Sequence, residues 1–259
     1  MQSRTHLLST LTWKTVRKQK YEVAVLPWGA TEPHNYHLPF CTDVIESDYI
    51  ASESARRAGE RGAKIIVLPT IPLGVNTGQL DLNMTINMNP STQALVLKDV
   101  VDSVSRHGIK KFLILNSHGG NDFKQMVREL QPQYPHMFLG TINWWQIVDQ
   151  GAFFDEKDDH AGEMETSVML VIAPDLVLPL SEAGPGKAHP FKLKGLRERV
   201  AWTPREWTKA TSDTGVGDPR KATAEKGKKY LEAVTSKIGD FLVELGKADV
   251  KDLYEKPRA

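Results

Sequence analysis

Residues 28–43, WGATEPHNYHLPFCTD, bring Glu32, His34, His37 and Asp43 close together with no Lys or Arg among them. Carboxylates and imidazoles crowded without a cation are costly, and a divalent metal is the usual compensation. Glu32 and His34 are two apart, so in extended chain they share a face, and Pro33 between them favours extended backbone at Glu32. Asn35, Pro39 and Thr42 suggest a turning loop that returns Asp43 toward the pair. Asp43 also opens a helical pattern, where it would serve as N-cap. Each residue has an ordinary reading: Asp43 only a cap, Glu32 solvated, His34 a satisfied loop histidine. The spacing of the group favours the metal. Cys41 could add a soft ligand but reads rather as a small buried residue.

Two further stretches carry chemistry. Residues 116–121, NSHGGN, follow an apolar run, and their glycines allow close backbone approach. His118 would then project toward the crevice of Glu32 and His34. A phosphate cradle is the rival, but the P-loop lysine and the G-x-G-x-x-G spacing are missing. Residues 158–167, DDHAGEMETS, place His160 just before a helix start. Glu165 shares a helical face with Val168, Met169 and Ile172, and a carboxylate on such a face must be ion-paired or metal-bound. Glu163 falls on another face and reads as a first-turn carboxylate suited to the helix dipole.

These motifs need elements to position them. Apolar runs predict strands at 21–27, 64–69, 111–116 and 137–142. Helical patterns cover 7–18, 43–59, 91–107, 122–131, 162–172 and 222–247. In the second, Ile45, Tyr49, Ala51, Ala55 and Ala58 are expected inward. In the third, Ser91 caps a stripe of Leu95, Val96, Val100, Val101 and Val104. Loops are expected at 71–89 and 151–159, while 176–213 resists assignment; 71–89 and 184–217 are expected to shape the pocket. Strands alternating with helices predict one α/β domain spanning 1–259, with a parallel sheet and ligands at the carboxyl ends of its strands. The first two motifs lie at such ends.

The composition narrows the function. The 259 residues carry a formal net charge of +1, with acids and bases mixed along the chain, so charge points to neither a nucleic-acid nor a membrane partner. The single cysteine rules out an intrachain disulfide. No apolar run would span a bilayer, and the N-terminus lacks the apolar core of a signal peptide. A cytoplasmic protein acting on a small molecule is the expectation.

The three motifs, in this order and spacing, resemble the creatininase (creatinine amidohydrolase) family from the first strand to the last helix. The resemblance implies a three-layer α/β/α sandwich with a mostly parallel central sheet, assembled as a homohexamer. It implies two divalent ions per chain, Zn, Mn or Fe, in a hydrolase of non-peptide or cyclic C–N bonds. By the same resemblance Glu32, His34, Asp43 and His118 are metal ligands, with Asp43 the bridge. A water activated at this centre would attack the carbonyl or amidine carbon, and His160 would protonate the leaving nitrogen. Creatininase has a glutamate ligand where this chain has Gly120, and the family more often reads Gln-His-Gly-Pro where this chain has Pro33-His34-Asn35-Tyr36. Both departures point away from creatinine as substrate, and Glu165, matching the family's Glu-Thr-Ser glutamate, becomes the candidate to complete the ligand shell.

Trp145 falls near a substrate-covering aromatic of the family. Trp144 is an equal candidate and Asn121 a third, with core packing the ordinary role for either tryptophan. His37 could orient a ligand carboxylate, whereas His6, His107, His136 and His189 lie apart from the motifs. The resemblance leaves a deformylase, or a peptidase of a modified-peptide pathway, as alternatives. A nucleotide-handling enzyme using the glycine turn is a third. A non-catalytic metal-stabilised subunit is disfavoured, because structural zinc sites are Cys-rich.

Overall fold

Strands β1 (Val23–Trp28), β2 (Ile65–Val67), β3 (Lys111–Asn116) and β4 (Phe138–Asn143) build the sheet of the computed structural model, which describes residues 5–156 and 159–255. The order is β2-β1-β3-β4 and every pairing is parallel. Trp28 pairs with Asn116, and Asn116 with Asn143, so these strands end level and their loops open on one edge.

Alternation along the strands sorts the core into two halves. Val23, Val25, Leu113 and Leu115 face helices α2 (Thr42–Glu60), α5 (Glu163–Ile172) and α8 (Ala224–Lys247). Ala24, Leu26, Trp28, Phe112 and Ile114 face α3 (Pro90–Arg106) and α4 (Phe123–Leu130). The result is the three-layer α/β/α sandwich expected from the sequence. The remaining helices are one-turn pieces: α1 (Trp13–Val16), α6 (Lys194–Arg197) and α7 (Trp207–Ala210). Among the described residues, no helix is long and apolar enough to cross a membrane.

Several local expectations are corrected. The helix expected over 7–18 shrinks to a 3-10 turn, Leu8–Thr10, and α1, because Leu7 bridges to Val67 and ties the segment to the edge of β2. In helix α2 Ala51, Ala55 and Ala58 are buried as expected, but Tyr49 is exposed and Ile45 only half-buried, and the polar Asp43, Glu46, Ser47 and Ser54 are buried with Ile50. These follow the helical period counted from Asp43, so the site sets the rotation of the helix. Asp43 is not the cap. Cys41 holds that position and is exposed, not the buried residue expected. In α3, Leu95 is exposed and Leu97 is buried in its stead, and the helix begins at Pro90, whose fixed φ suits a first turn, so Ser91 is not its cap.

Candidate metal centre

The chain leaves β1 and folds over itself. Glu32 N–H donates to the Phe40 carbonyl and Leu38 N–H to that of His34. Asn35, in the left-handed region at φ 53°, turns the loop between them. This closure sets Asp43, in the first turn of α2, against His34. The turn after β3 delivers His118, and the start of α5 delivers His160 and Glu165. All six side chains are buried, with no Lys or Arg among them.

Donor atoms gather within 4.8 Å of one another in three groups: Glu32, Asp43 and His118; His34, Asp43 and Glu165; and Glu32, His34 and His160. Asp43 belongs to two of them. Its Oδ1 is 3.3 Å from His34 Nε2 and its Oδ2 is 3.2 Å from His118 Nδ1. His118 Nδ1 lies nearer to Glu32 Oε1, at 2.8 Å, and His160 Nδ1 is 3.9 Å from that same oxygen.

The outward nitrogens fix the tautomers. His34 Nδ1–H donates to the Glu32 carbonyl, His118 Nε2–H to that of Val75 and His160 Nε2–H to that of Pro33, each at 3.0 Å. A neutral imidazole that donates through one nitrogen presents a lone pair on the other. Three lone pairs therefore point at carboxylate oxygens, an arrangement that needs protons or a cation between them. Asp43 Oδ2 accepts no aligned hydrogen bond among the described residues, although it is buried. The donors thus fit a divalent metal, with each histidine held from behind by a carbonyl as metal-binding histidines are.

Electrostatics agree. Burial opposes ionisation of Glu32 and Asp43, but the positive imidazoles around them outweigh it and hold both carboxyls below the usual range. Burial likewise opposes protonation of His34, yet Asp43 raises it to about 10. Burial opposes protonation of His118 as well, but Glu32 and Asp43 outweigh it and raise it. His160 is lowered, by burial first and then by His34, whose ring centroid lies 4.2 Å away. The centre attracts positive charge, and His160 is the one of its three imidazoles on which protonation is disfavoured.

A cavity of about 110 Å3 opens over Glu32, Asp43, His118, His160 and Glu165, with Trp145 on its wall. A wider groove of about 1190 Å3 runs between the N-terminal segment and α2 and holds none of the six residues. Trp144 is not at the cavity. It is buried in the core beside Tyr230, and its indole N–H donates to Ser117 Oγ at 2.7 Å. Asn121 also stays away: its amide donates to Asn116 Oδ1 and accepts from Val75 N–H and Gln93, bracing the turn that carries His118. His37 bonds Thr166 Oγ1 at 2.8 Å and no ligand carboxylate, and burial followed by His34 pushes it down to about 4. His6, His107, His136 and His189 belong to none of the three groups.

Gly120 has a physical reason to lack the glutamate. A Cβ there would overlap the Val75 carbonyl and the His118 ring, so no side chain fits. Glu165 instead reaches the His34–Asp43 group, its Oε2 accepting from Ala161 N–H. Glu163 is not the simple dipole-facing carboxylate expected. It is fully buried, accepts from the backbone N–H groups of Asp155 and Glu156 at 2.9 and 2.8 Å, and pairs with Lys226 of α8. Asp158 of the third motif lies outside the described residues. Gln79, which donates to Glu32 Oε2, and Trp207, whose ring centroid lies 4.8 Å from that of His160 in an edge-on arrangement, carry no local signal in the sequence and come together only through the fold.

The family model "Creatininase: Creatinine amidohydrolase" matches residues 9–242. A crystal structure from Bacteroides fragilis NCTC 9343, provisionally assigned as a creatinine amidohydrolase, is 44% identical with a TM-score of 0.92, covering 98% of this chain and 100% of that one. The creatinine amidohydrolase of Pseudomonas putida is 25% identical over 268 residues, 93% of this chain and 98% of its own. The mycofactocin precursor peptide peptidase of Mycobacterium ulcerans (strain Agy99) is 28% identical over 214 residues, 80% of this chain and 79% of its own. With a family match across nearly its whole length and a near-complete overlay on a 44%-identical structure, the chain belongs to the creatininase family.

Proposed function

We propose that this creatininase-family amidohydrolase binds two divalent ions and hydrolyses a C–N bond other than a peptide bond in a small cyclic amide. The observation that carries the reading is the position of Asp43, whose two oxygens face separate groups of donors. Glu32 and His118 would hold one ion with Asp43; His34 and Glu165 would hold the other. The all-N/O donor set suits Zn, Mn or Fe. When bound, such ions would supply an activated water and stabilise charge on the oxygen of the attacked carbon.

The protein's own groups do the rest. Burial and then His34 disfavour a proton on His160, and its Nε2–H is committed to the Pro33 carbonyl, so Nδ1 would serve as the acceptor. It would first take a proton and then return it to the leaving nitrogen, a general base before a general acid. Trp145 offers an apolar wall for a flat substrate, and the small volume favours a small molecule over a peptide. A modified-peptide peptidase is the second reading, favoured by the mycobacterial relative. The homohexamer implied by family resemblance is checked by sedimentation of the purified protein.

The decisive experiment is the metal content of tag-free protein purified without chelators, read by elemental mass spectrometry. Two ions per chain, followed by turnover in a screen of cyclic amides, N-formyl compounds and peptides, would support the reading. No ion, and no uptake of added zinc or manganese, would overturn it.

A further inference from the structure

Glu32 has two carboxylate oxygens and only one of them faces the histidines. Oε1 lies toward His118 and His160. Oε2 is held by the side-chain amide of Gln79, a residue 2% exposed and 47 positions further along the chain. Because a carboxylate can only accept, the group donating to it must be the Gln79 amide nitrogen.

Gln79 is itself fixed. It ends the 3-10 turn Thr77–Gln79, and its N–H donates to the Asn76 carbonyl at 3.0 Å. Asn76 is held by Asn87 Oδ1 at 2.8 Å and by the Ile86 carbonyl at 3.0 Å. Ile86 N–H donates at 3.1 Å to the carbonyl of Thr31, the residue before Glu32. The turn is therefore braced against the same stretch of chain that its side chain steadies. On its outer side Gly78 packs against the Arg205 carbonyl with no room for a Cβ, and Asp81 accepts from Thr208. Residues 205–208 in turn bring Trp207 against His160.

We propose that Gln79 is a positioning residue for the metal centre: its neutral amide occupies Glu32 Oε2 and leaves Oε1 as the oxygen offered to a bound ion. This rests on the metal-dependent reading above. The choice of side chain follows from charge. A Lys or Arg here would steady Glu32 equally well but would neutralise it and repel a divalent ion, whereas an amide supplies a donor without a charge. An apolar residue would leave a buried carboxylate oxygen unsatisfied and free to rotate into a two-oxygen grip.

The test compares wild type with Gln79→Leu and Gln79→Met, measuring zinc and manganese affinity by competition with a chromogenic chelator, alongside the melting temperature of the chelated proteins. Met matches the length and volume of Gln without its donor, so a space-filling role would survive Gln79→Met and a positioning role would not. The expected result is about 10–100-fold weaker metal binding in both variants, the range seen when groups supporting metal ligands are removed, with the chelated proteins still folding cooperatively. Wild-type binding with Gln79→Met affinity unchanged would overturn the proposal alone. Failure of the wild type to bind either metal would overturn the reading beneath it and the proposal together.

Discussion

At the scale of single residues, the centre is a problem in charge. Glu32, Asp43 and Glu165 are buried beside three imidazoles, and the lone pairs of those rings face carboxylate oxygens. Asp43 is the hinge of this arrangement because it serves two groups at once. Asp43→Asn keeps the shape but removes the shared charge, and we expect it to lose both ions by elemental analysis. His160 meets the others from one side only. His160→Ala is expected to keep most of its metal while losing about 10²–10⁴-fold in kcat, the usual contribution of a positioned proton-transfer group. Equal metal loss in the two variants would make His160 a ligand and not a proton carrier.

At the scale of elements, three loop–helix junctions converge because β1 and β3 are neighbours in a parallel sheet and end level. The loop after β1 and the turn after β3 therefore face one crevice, and α5 packs beside α2 to bring Glu165 in. The adjacent tryptophans show how finely this sorting works. Trp144 faces the core and ties the β3 turn through Ser117, whereas Trp145, one residue on, reaches the cavity. Trp144→Phe should therefore destabilise the protein by about 1–3 kcal/mol, through lost volume and an unsatisfied Ser117 hydroxyl, with a lower denaturant midpoint. Trp145→Phe, at a half-buried ring that packs on the edge of the core and keeps no side-chain hydrogen bond to Ser117, should lower that midpoint less than Trp144→Phe does and should raise KM. The reverse pattern would exchange their roles.

At the scale of the whole molecule, the metal-free centre should make folding stability depend on pH in two directions. His34, raised to about 10, stays protonated in the folded chelated protein well above the value of 6.5 that it has when unfolded. Its contribution is complete below pH 6.5 and is lost as pH climbs toward 10. His37, pushed down to about 4, works the other way: its contribution is complete above pH 6.5 and is lost as pH falls toward 4. From these two groups the melting temperature of chelated protein should peak near pH 6.5. A bound ion replaces the His34 proton, so added zinc should remove the alkaline decline. A chelated protein with a flat melting temperature above the peak would show that His34 does not hold its proton.

Apolar runs and the spacing of acids and histidines are local properties, so the alternation of strands and helices and the Glu32, His34 and Asp43 group can be read from the chain alone, whereas the ligand set completed by His118 and Glu165 is what the family resemblance of the three motifs implies. β3 was legible to the residue, since an apolar run bounded by polar ends leaves little freedom. The rotation of α2, the exposure of Cys41 and the separation of Trp144 from Trp145 were not legible, because each depends on which face a neighbouring element covers. The same holds for Gln79 on Glu32 and for Lys226 on Glu163, partners 47 and 63 residues apart whose side chains have no reason to meet until the chain has folded. Tertiary packing alone decides which carboxylate stands beside the other donors: Gly120 lies too close to Val75 and His118 to bear any side chain, and Glu165, from another element, reaches the His34–Asp43 group instead.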